Sequence, residues 1–510
     1  MTLRAAAFVL ATGVAALTAP LGCRRAPPPA PPHIVLLTVD TLRADRIGAM
    51  GNAPRGGSPS PVADALAERG VLFTQCYAPR GQTHPSLASM LTGKFPITHG
   101  LRDNGMSLET EHVPFPVLLR QRGYRTAAFC SNLDRTRWPF WVRGFDVAED
   151  GVEGMLQEEG GALGFRYHAV WDERTIDKAL TWIETLEEPV SAPVFLWVHL
   201  YDVHQPYTPS DDALARFADP AYDGPFSHPR GEDPDAPHNA VAPHLSAWAL
   251  GDRAYDDADL AQVDALYDAG ILDVERRLQR VLDALDARGI LDDALVCYSS
   301  DHGDELGRHD GYFGHGNSIY DAVLKIPMIL AWPGRLPAGR RVDGLCQNLD
   351  VFATVLEAAG IEAPAGAESL SLLPAARGDA DAALREHVFG EWEDLLYSVS
   401  DGTWKAIANP RGARPRKPPY KHRPGASFPY ECFELYRVAD DPEELVDVYG
   451  QHPEEWDRLR AALRRFLAQP GHRRPLALPD DADPALEALG YVGSTKTRRN
   501  VLTIDCGDDE

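Results

Sequence analysis

Basic residues are the scarce charge in this chain. Fifty Lys and Arg face 75 Asp and Glu, for a formal net charge of -25. Such a field repels polyanions at long range, which argues against nucleic acid as a partner. It also opposes an anionic ester substrate, so a bound cation and local basic groups would have to reverse the potential inside such a site. Most of the acidity serves solubility. Cysteine is sparse too: seven residues in 510, scattered, with no CxxC pair. An oxidising compartment would allow disulfides, but spacing does not pair them, and buried free thiols fit equally. Internal repeats are missing. The apolar stretch at residues 5–17 is short for a transmembrane helix.

What is present begins with an export signal. Arg4 supplies the positive start and residues 5–17 the alanine-rich apolar segment. Ala19-Pro20-Leu21-Gly22-Cys23 resembles a bacterial lipobox, with Pro20 at the usual Leu position. Cys23 would then be lipidated and attach the protein to a membrane. Arg24, Arg25 and the Pro/Ala run up to residue 32 form an extended tether. The expected location is exported: periplasmic or membrane-anchored.

From residue 34 to about 331, strands and helices alternate. Residues 34–39 are a near-continuous apolar run, the pattern of a strand buried on both faces of a parallel sheet. Similar runs lie at 126–130, 194–198, 294–298 and 327–331. Residues 261–285 keep a helical apolar stripe through Val263, Leu266, Tyr267, Val274, Leu278, Val281, Leu282 and Leu285. The expected class is α/β, with a mostly parallel central sheet, helices on both faces and a smaller C-terminal α+β subdomain. The expected organisation is a signal and tether at 1–32, a catalytic domain at 33–376, the subdomain at 377–494 and a tail at 495–510. Residues 206–252 read as a long loop or lid, in which His228, His238 and His244 have no metal-ligand spacing.

Ligands of open α/β sheets bind beyond the carboxyl ends of the strands. Asp40 closes the first strand. His199, Asp202 and His204 cluster where the 194–198 run ends, and Asp301 and His302 follow the 294–298 run. Three strands thus bring carboxylates and imidazoles to one rim. Carboxylate beside imidazole suits Mn, Zn, Mg or Ca, with His302 leaning away from the harder Ca. Asp45 reads as a cap for the helix that follows. Thr83 and Pro85 read as a helix start, where free N–H groups and the dipole favour anionic oxygens.

The run Thr83-His84-Pro85-Ser86-Leu87-Ala88-Ser89-Met90-Leu91-Thr92-Gly93 resembles the signature of the sulfatase family, within the alkaline-phosphatase-like superfamily. Ser299-Ser300-Asp301-His302-Gly303-Asp304-Glu305 resembles that family's second metal segment, and His204-Gln205-Pro206-Tyr207 its His-x-Pro-Tyr pattern. The resemblance spans about residues 33–492 and implies a metal-dependent ester hydrolase. It makes Asp40, Thr83, Asp301 and His302 metal ligands, and Thr83, His204 and His315 the catalytic groups.

Five departures from the family pattern coincide. Thr83 stands where the family has the Cys or Ser oxidised to formylglycine, so no formylglycine is expected. Leu87 replaces the supporting Arg, Thr41 a second metal-binding Asp, and His315 a substrate-binding Lys. Cys130-Ser131-Asn132-Leu133 also lacks the family's Lys and His. A threonine ester lacks the formylglycine escape route and must be cleared by a second in-line attack, which phosphoryl chemistry allows. The favoured reading is a hydrolase or transferase of phosphate mono- or diesters, with small anionic, glycan- or lipid-linked substrates. The alternatives are a sulfuric ester hydrolase working without formylglycine, and a catalytically silent surface protein that binds sulfated or phosphorylated glycans.

Overall fold

A computed structural model describes residues 31–152, 168–227, 255–309, 313–316, 318–392, 396–409 and 433–472. These residues belong to one compact unit spanning Pro31–Glu510. The export signal, Cys23, Cys432, Cys506, the three lid histidines and the tail lie outside the described residues. Among the described residues, no helix is long and apolar enough to cross a membrane.

Eight strands form the central sheet: β1 (His33–Val39), β2 (Val71–Tyr77), β3 (Arg125–Cys130), β4 (Val147–Asp150), β5 (Val194–Leu200), β6 (Ala294–Ser300), β7 (Lys325–Ala331) and β8 (Arg340–Gln347). Their order is β4-β3-β5-β1-β6-β7-β2-β8. Every pairing is parallel except those of β7, which runs against β6 and β2. The apolar run of β1 reflects its place inside this sheet. Ile34 and Leu36 join the core on one face, while Val35, Leu37 and Val39 join the core on the other.

The helix Asp257–Asp286 covers the second face with Val263, Leu266, Tyr267, Val274 and Leu278. Its start is fixed by a capping box, in which the Asp259 N–H donates to Asp256 at 2.9 Å. The helix Thr83–Thr92 buries Leu87, Ala88, Met90 and Leu91 on the opposite face. The expected α/β class and mostly parallel sheet are therefore present. The 206–252 region is not all loop, because Asp211–Phe217 is helical. Asp45 lies inside a short 3-10 turn and caps nothing; it accepts from Arg43 Nε at 2.9 Å.

Four antiparallel strands follow: β9 (Val388–Trp392), β10 (Leu396–Ser400), β11 (Lys405–Ala408) and β12 (Phe433–Tyr436). The helix Pro453–Leu467 packs Leu459, Leu463 and Phe466 against Val399, Ala406 and Leu435. Cys76, Cys130, Cys297 and Cys346 are buried free thiols.

A buried polar network ties the catalytic-sheet loops to β12. Glu305 holds His309 Nδ1 at 2.6 Å and accepts from the Ser318 hydroxyl. The His309 ring stacks on Tyr320 at 3.9 Å, and Tyr320 donates to Glu434 at 3.0 Å. Burial opposes the charged ring, but the Glu305 carboxylate outweighs it and holds the His309 pKa up to about 9. A raised histidine pKa stabilises the fold below its unfolded value near 6.5, and that contribution is lost as pH rises through 9. The expected size is on the order of 2–3 kcal/mol. Thermal unfolding should therefore show a wild-type advantage over His309→Gln at pH 6 that shrinks by pH 10. Parallel stability curves for the two proteins would contradict this.

Candidate active site

The site is built where β1 and β6, paired in parallel, end side by side. Asp40 leaves β1; Asp301 and His302 leave β6. Oxygen and nitrogen atoms from these three buried side chains lie within 4.8 Å of one another, a grouping that could hold a metal ion. His302 Nε2 is 3.3 Å from Asp301 Oδ2 and 4.0 Å from Asp40 Oδ1. Asp40 Oδ1 and Asp301 Oδ2 are both buried without a hydrogen-bond partner. Two orphaned carboxylate oxygens beside an imidazole fit a divalent cation, because unpaired buried acceptors are costly unless something binds them. Burial and the adjacent Asp301 charge push the Asp40 carboxyl well above the usual carboxylate range. A cation would relieve both effects.

Neighbouring groups fix these ligands. The Thr41 and His302 backbone N–H groups donate to Asp301 Oδ1 at 3.1 and 2.8 Å. Thr41 adopts a left-handed backbone with φ 57°. A β-branched residue is strained there. The Tyr267 hydroxyl holds the Thr41 carbonyl at 2.5 Å. The Ser86 hydroxyl, from the helix Thr83–Thr92, donates to the Asp301 carbonyl at 2.6 Å, and Asn348 donates to the Ser86 oxygen at 2.6 Å.

Thr83 is the first residue of its helix, with Gln82 as the extended N-cap. Its hydroxyl lies 3.4 Å from His302 Nε2. The helix start is anchored by Asn104, whose Oδ1 accepts from the His84 N–H at 2.9 Å. Leu87 is wholly buried in the hydrophobic core, so no cation stands at that position.

His315 and His204 join the cluster. The His315 ring stacks on His302 at 4.4 Å and meets His204 edge-on at 4.9 Å. His315 Nδ1 is 3.9 Å from Asp304 Oδ2, which accepts from the Tyr207 hydroxyl at 2.9 Å. His204 Nδ1 contacts the Gln205 carbonyl at 2.6 Å. Burial, then the adjacent His315, push the His204 pKa down to about 3. Asp202 is directed elsewhere. It accepts from Arg277 at 3.0 Å, and burial followed by the Asp172 charge raises its pKa to about 7. It does not share a cation-sized grouping with His204 and His315 among the described residues.

Sequence reasoning missed Asn132 as a site residue. Its Nδ2 donates to Asp40 Oδ2 at 2.8 Å. Its signal lay in the strand-end position after β3, where polar residues face the rim.

The sulfatase family profile matches residues 32–361. The chain belongs to the sulfatase family. A second profile, N-sulphoglucosamine sulphohydrolase C-terminal, matches residues 307–471 of this sulfatase-family hydrolase. An N-acetylglucosamine-6-O-sulfatase of Bacteroides thetaiotaomicron is 24% identical, covering 89% of each chain. A multifunctional alkaline phosphatase superfamily protein of Trinickia caryophylli is 25% identical over 86% of this chain and 94% of its own. Among solved structures, the phosphonate monoester hydrolase of Agrobacterium radiobacter superposes with a TM-score of 0.65 at 20% identity, covering 87% of this chain and 96% of that one. A structure in complex with D-glucosamine-2-N,6-O-disulfate superposes at 0.66 with 21% identity, covering 87% and 100%. The fold is thus shared by sulfatases and a phosphonate hydrolase.

Proposed function

We propose that this sulfatase-family enzyme hydrolyses or transfers anionic esters with Thr83 as nucleophile, phosphate mono- and diesters being preferred. The observation that carries the reading is the Thr83 hydroxyl, at a helix N-terminus and 3.4 Å from His302 in the Asp40–Asp301–His302 cluster. Asp40, Asp301, His302 and Thr83 would hold a divalent cation: Mn, Zn, Mg or Ca. When bound, it supplies charge neutralisation for the ester oxygens and acidifies the hydroxyl. Thr83 Oγ1 releases its proton to solvent and attacks the central atom in line, and the bond to the leaving alcohol breaks. The N-terminal end of its helix favours the anionic group. His315 would bind the anion and deliver a proton to the leaving oxygen, while His204, kept neutral by burial, packs edge-on against it. Water or an acceptor alcohol then displaces threonine from the covalent ester.

Sulfuric ester hydrolysis without formylglycine is the second reading, and the sulfatases among the relatives favour it. The substrate is a small anionic ester or a glycan- or lipid-linked one. The enzyme is exported, with Cys23 as its lipid anchor; this rests on residues 1–32 of the sequence.

The test is a panel of 4-nitrophenyl phosphate, a bis-4-nitrophenyl diester and 4-nitrophenyl sulfate, each with Mn, Zn, Mg and Ca. Phosphate-ester turnover at least about tenfold above sulfate turnover in kcat/KM is expected, a barrier difference of about 1.4 kcal/mol. Activity on the sulfate alone would replace the first reading by the second. No turnover despite stoichiometric metal would leave a glycan-binding protein.

A further inference from the structure

β5 lies between β3 and β1, and His199 near its end stands in register with both neighbours. Its Cα partners are Thr38 on β1 and Cys130 on β3. The ring is wholly buried, and its Nε2 has no hydrogen-bond partner. That nitrogen points toward the candidate site, 3.8 Å from Asp40 Oδ2. This is too long for a hydrogen bond. A buried polar atom left unmatched beside a catalytic cluster calls for an occupant.

The identity of the occupant depends on where His199 carries its proton. Nδ1 is 2.9 Å from Thr38 Oγ1. The Trp197 indole can only donate, and it does so to the same Thr38 oxygen at 2.9 Å. The Thr38 hydroxyl hydrogen then has two acceptors in reach: His199 Nδ1 at 2.9 Å and the Val198 carbonyl at 3.5 Å. We assign the hydroxyl hydrogen to the shorter contact; Nδ1 is then an acceptor, and the proton of the neutral ring sits on Nε2. In that tautomer Nε2 offers no lone pair to a cation. It offers a hydrogen-bond donor to an oxygen. Asn132 sits beside it, sharing Asp40 Oδ2 through Nδ2.

We propose that His199 Nε2–H, flanked by the Asn132 amide, grips a non-bridging oxygen of the substrate's phosphoryl or sulfuryl group. The proposal rests on the anionic-ester reading above and specifies one of its binding groups. His199 also supplies a hydrogen-bond donor near the end of β3, where the site is short of basic groups. The Lys and His that follow this strand in formylglycine sulfatases are missing from the sequence here. A neutral donor from the adjacent strand occupies the same rim.

The experiment separates anion binding from metal binding. Inorganic phosphate is titrated calorimetrically into the Mn-loaded full chain, and Mn²⁺ alone into metal-free protein. His199→Ala should weaken phosphate binding about tenfold or more, as expected for losing a hydrogen bond to a charged group. Its Mn²⁺ affinity should stay within about twofold of wild type, because the ring is neither a ligand nor, at 3.8 Å from Asp40 Oδ2, hydrogen-bonded to one. His199→Gln, which keeps an N–H donor, should recover part of the phosphate affinity and guards against a folding defect in the alanine variant. Unchanged phosphate affinity in a folded His199→Ala protein overturns the proposal. A parallel loss of Mn²⁺ affinity overturns it too, by making His199 a cation ligand. If wild type turns over esters while either result holds, only this subsite fails. If wild type neither turns over an ester nor binds phosphate, the functional reading itself falls.

Discussion

Thr83→Ala is expected to remove ester turnover, lowering kcat by about three orders of magnitude or more, while metal binding weakens less than on loss of a carboxylate ligand, because a neutral hydroxyl is the weakest member of the proposed set. The Thr83 hydroxyl sits at a helix N-terminus, 3.4 Å from His302 Nε2 in the Asp40–Asp301–His302 cluster. A threonine hydroxyl is unreactive unless a base or a cation acidifies it. Losing it leaves only a water attack with no covalent intermediate, so residual activity should be slow and should lack a burst. Thr83→Ser should retain measurable turnover because it keeps the attacking atom. A rapid-quench experiment with a phosphate ester should trap a phosphorylated chain in wild type and none in Thr83→Ala. Unchanged turnover in Thr83→Ala would remove the nucleophile from every version of the mechanism. The burial of Leu87 in the core bears on the same point, since no arginine stands there to support a formylglycine group.

Asp40→Asn should act in opposite directions on metal-free and metal-loaded protein. Asp40 is wholly buried, and Oδ1 has no hydrogen-bond partner. Burial and the charge of Asp301 raise its pKa well above the usual carboxylate range. Ionised Asp40 therefore opposes folding at every pH above its unfolded value, and neutral asparagine removes that cost. The metal-free variant should melt about 1–3 °C above metal-free wild type at pH 7. Divalent metal should then raise the wild-type melting temperature and leave the variant nearly unmoved. Loss of a ligand should weaken metal binding by at least about 100-fold, at or beyond the upper end of what second-shell changes cause. Activity should fall with it. A metal-free variant less stable than wild type would show that Asp40 serves folding rather than cation binding.

Much of this architecture was legible in the chain because apolar periodicity reports burial directly. The runs in β1, β3, β5, β6 and β7 read as two-sided strands, and each is buried on both faces. β8 was not legible. It is an edge strand whose Arg340, Arg341 and Asp343 face solvent, so its composition resembles a loop. The antiparallel direction of β7 was hidden as well, since an apolar run carries no sense of direction. Asp40, Asp301 and His302 were readable because each follows a strand that ends at the rim. Asp202 shares that position, yet its partner is Arg277 on the Asp257–Asp286 helix, a contact between residues 75 apart.

The sequence by itself determined the strand-helix alternation, the rim on which acids and imidazoles gather, and the coordinated departures around Thr83. These are local properties, set by period, position and residue type. Only the tertiary structure decided which of those groups meet. It put Thr83 beside His302, turned Asp202 away, brought Asn132 onto Asp40, and left the buried His199 Nε2 without a hydrogen-bond partner. Such pairings depend on strand order and register, which join residues 75 or more positions apart and leave no trace in any single stretch of chain.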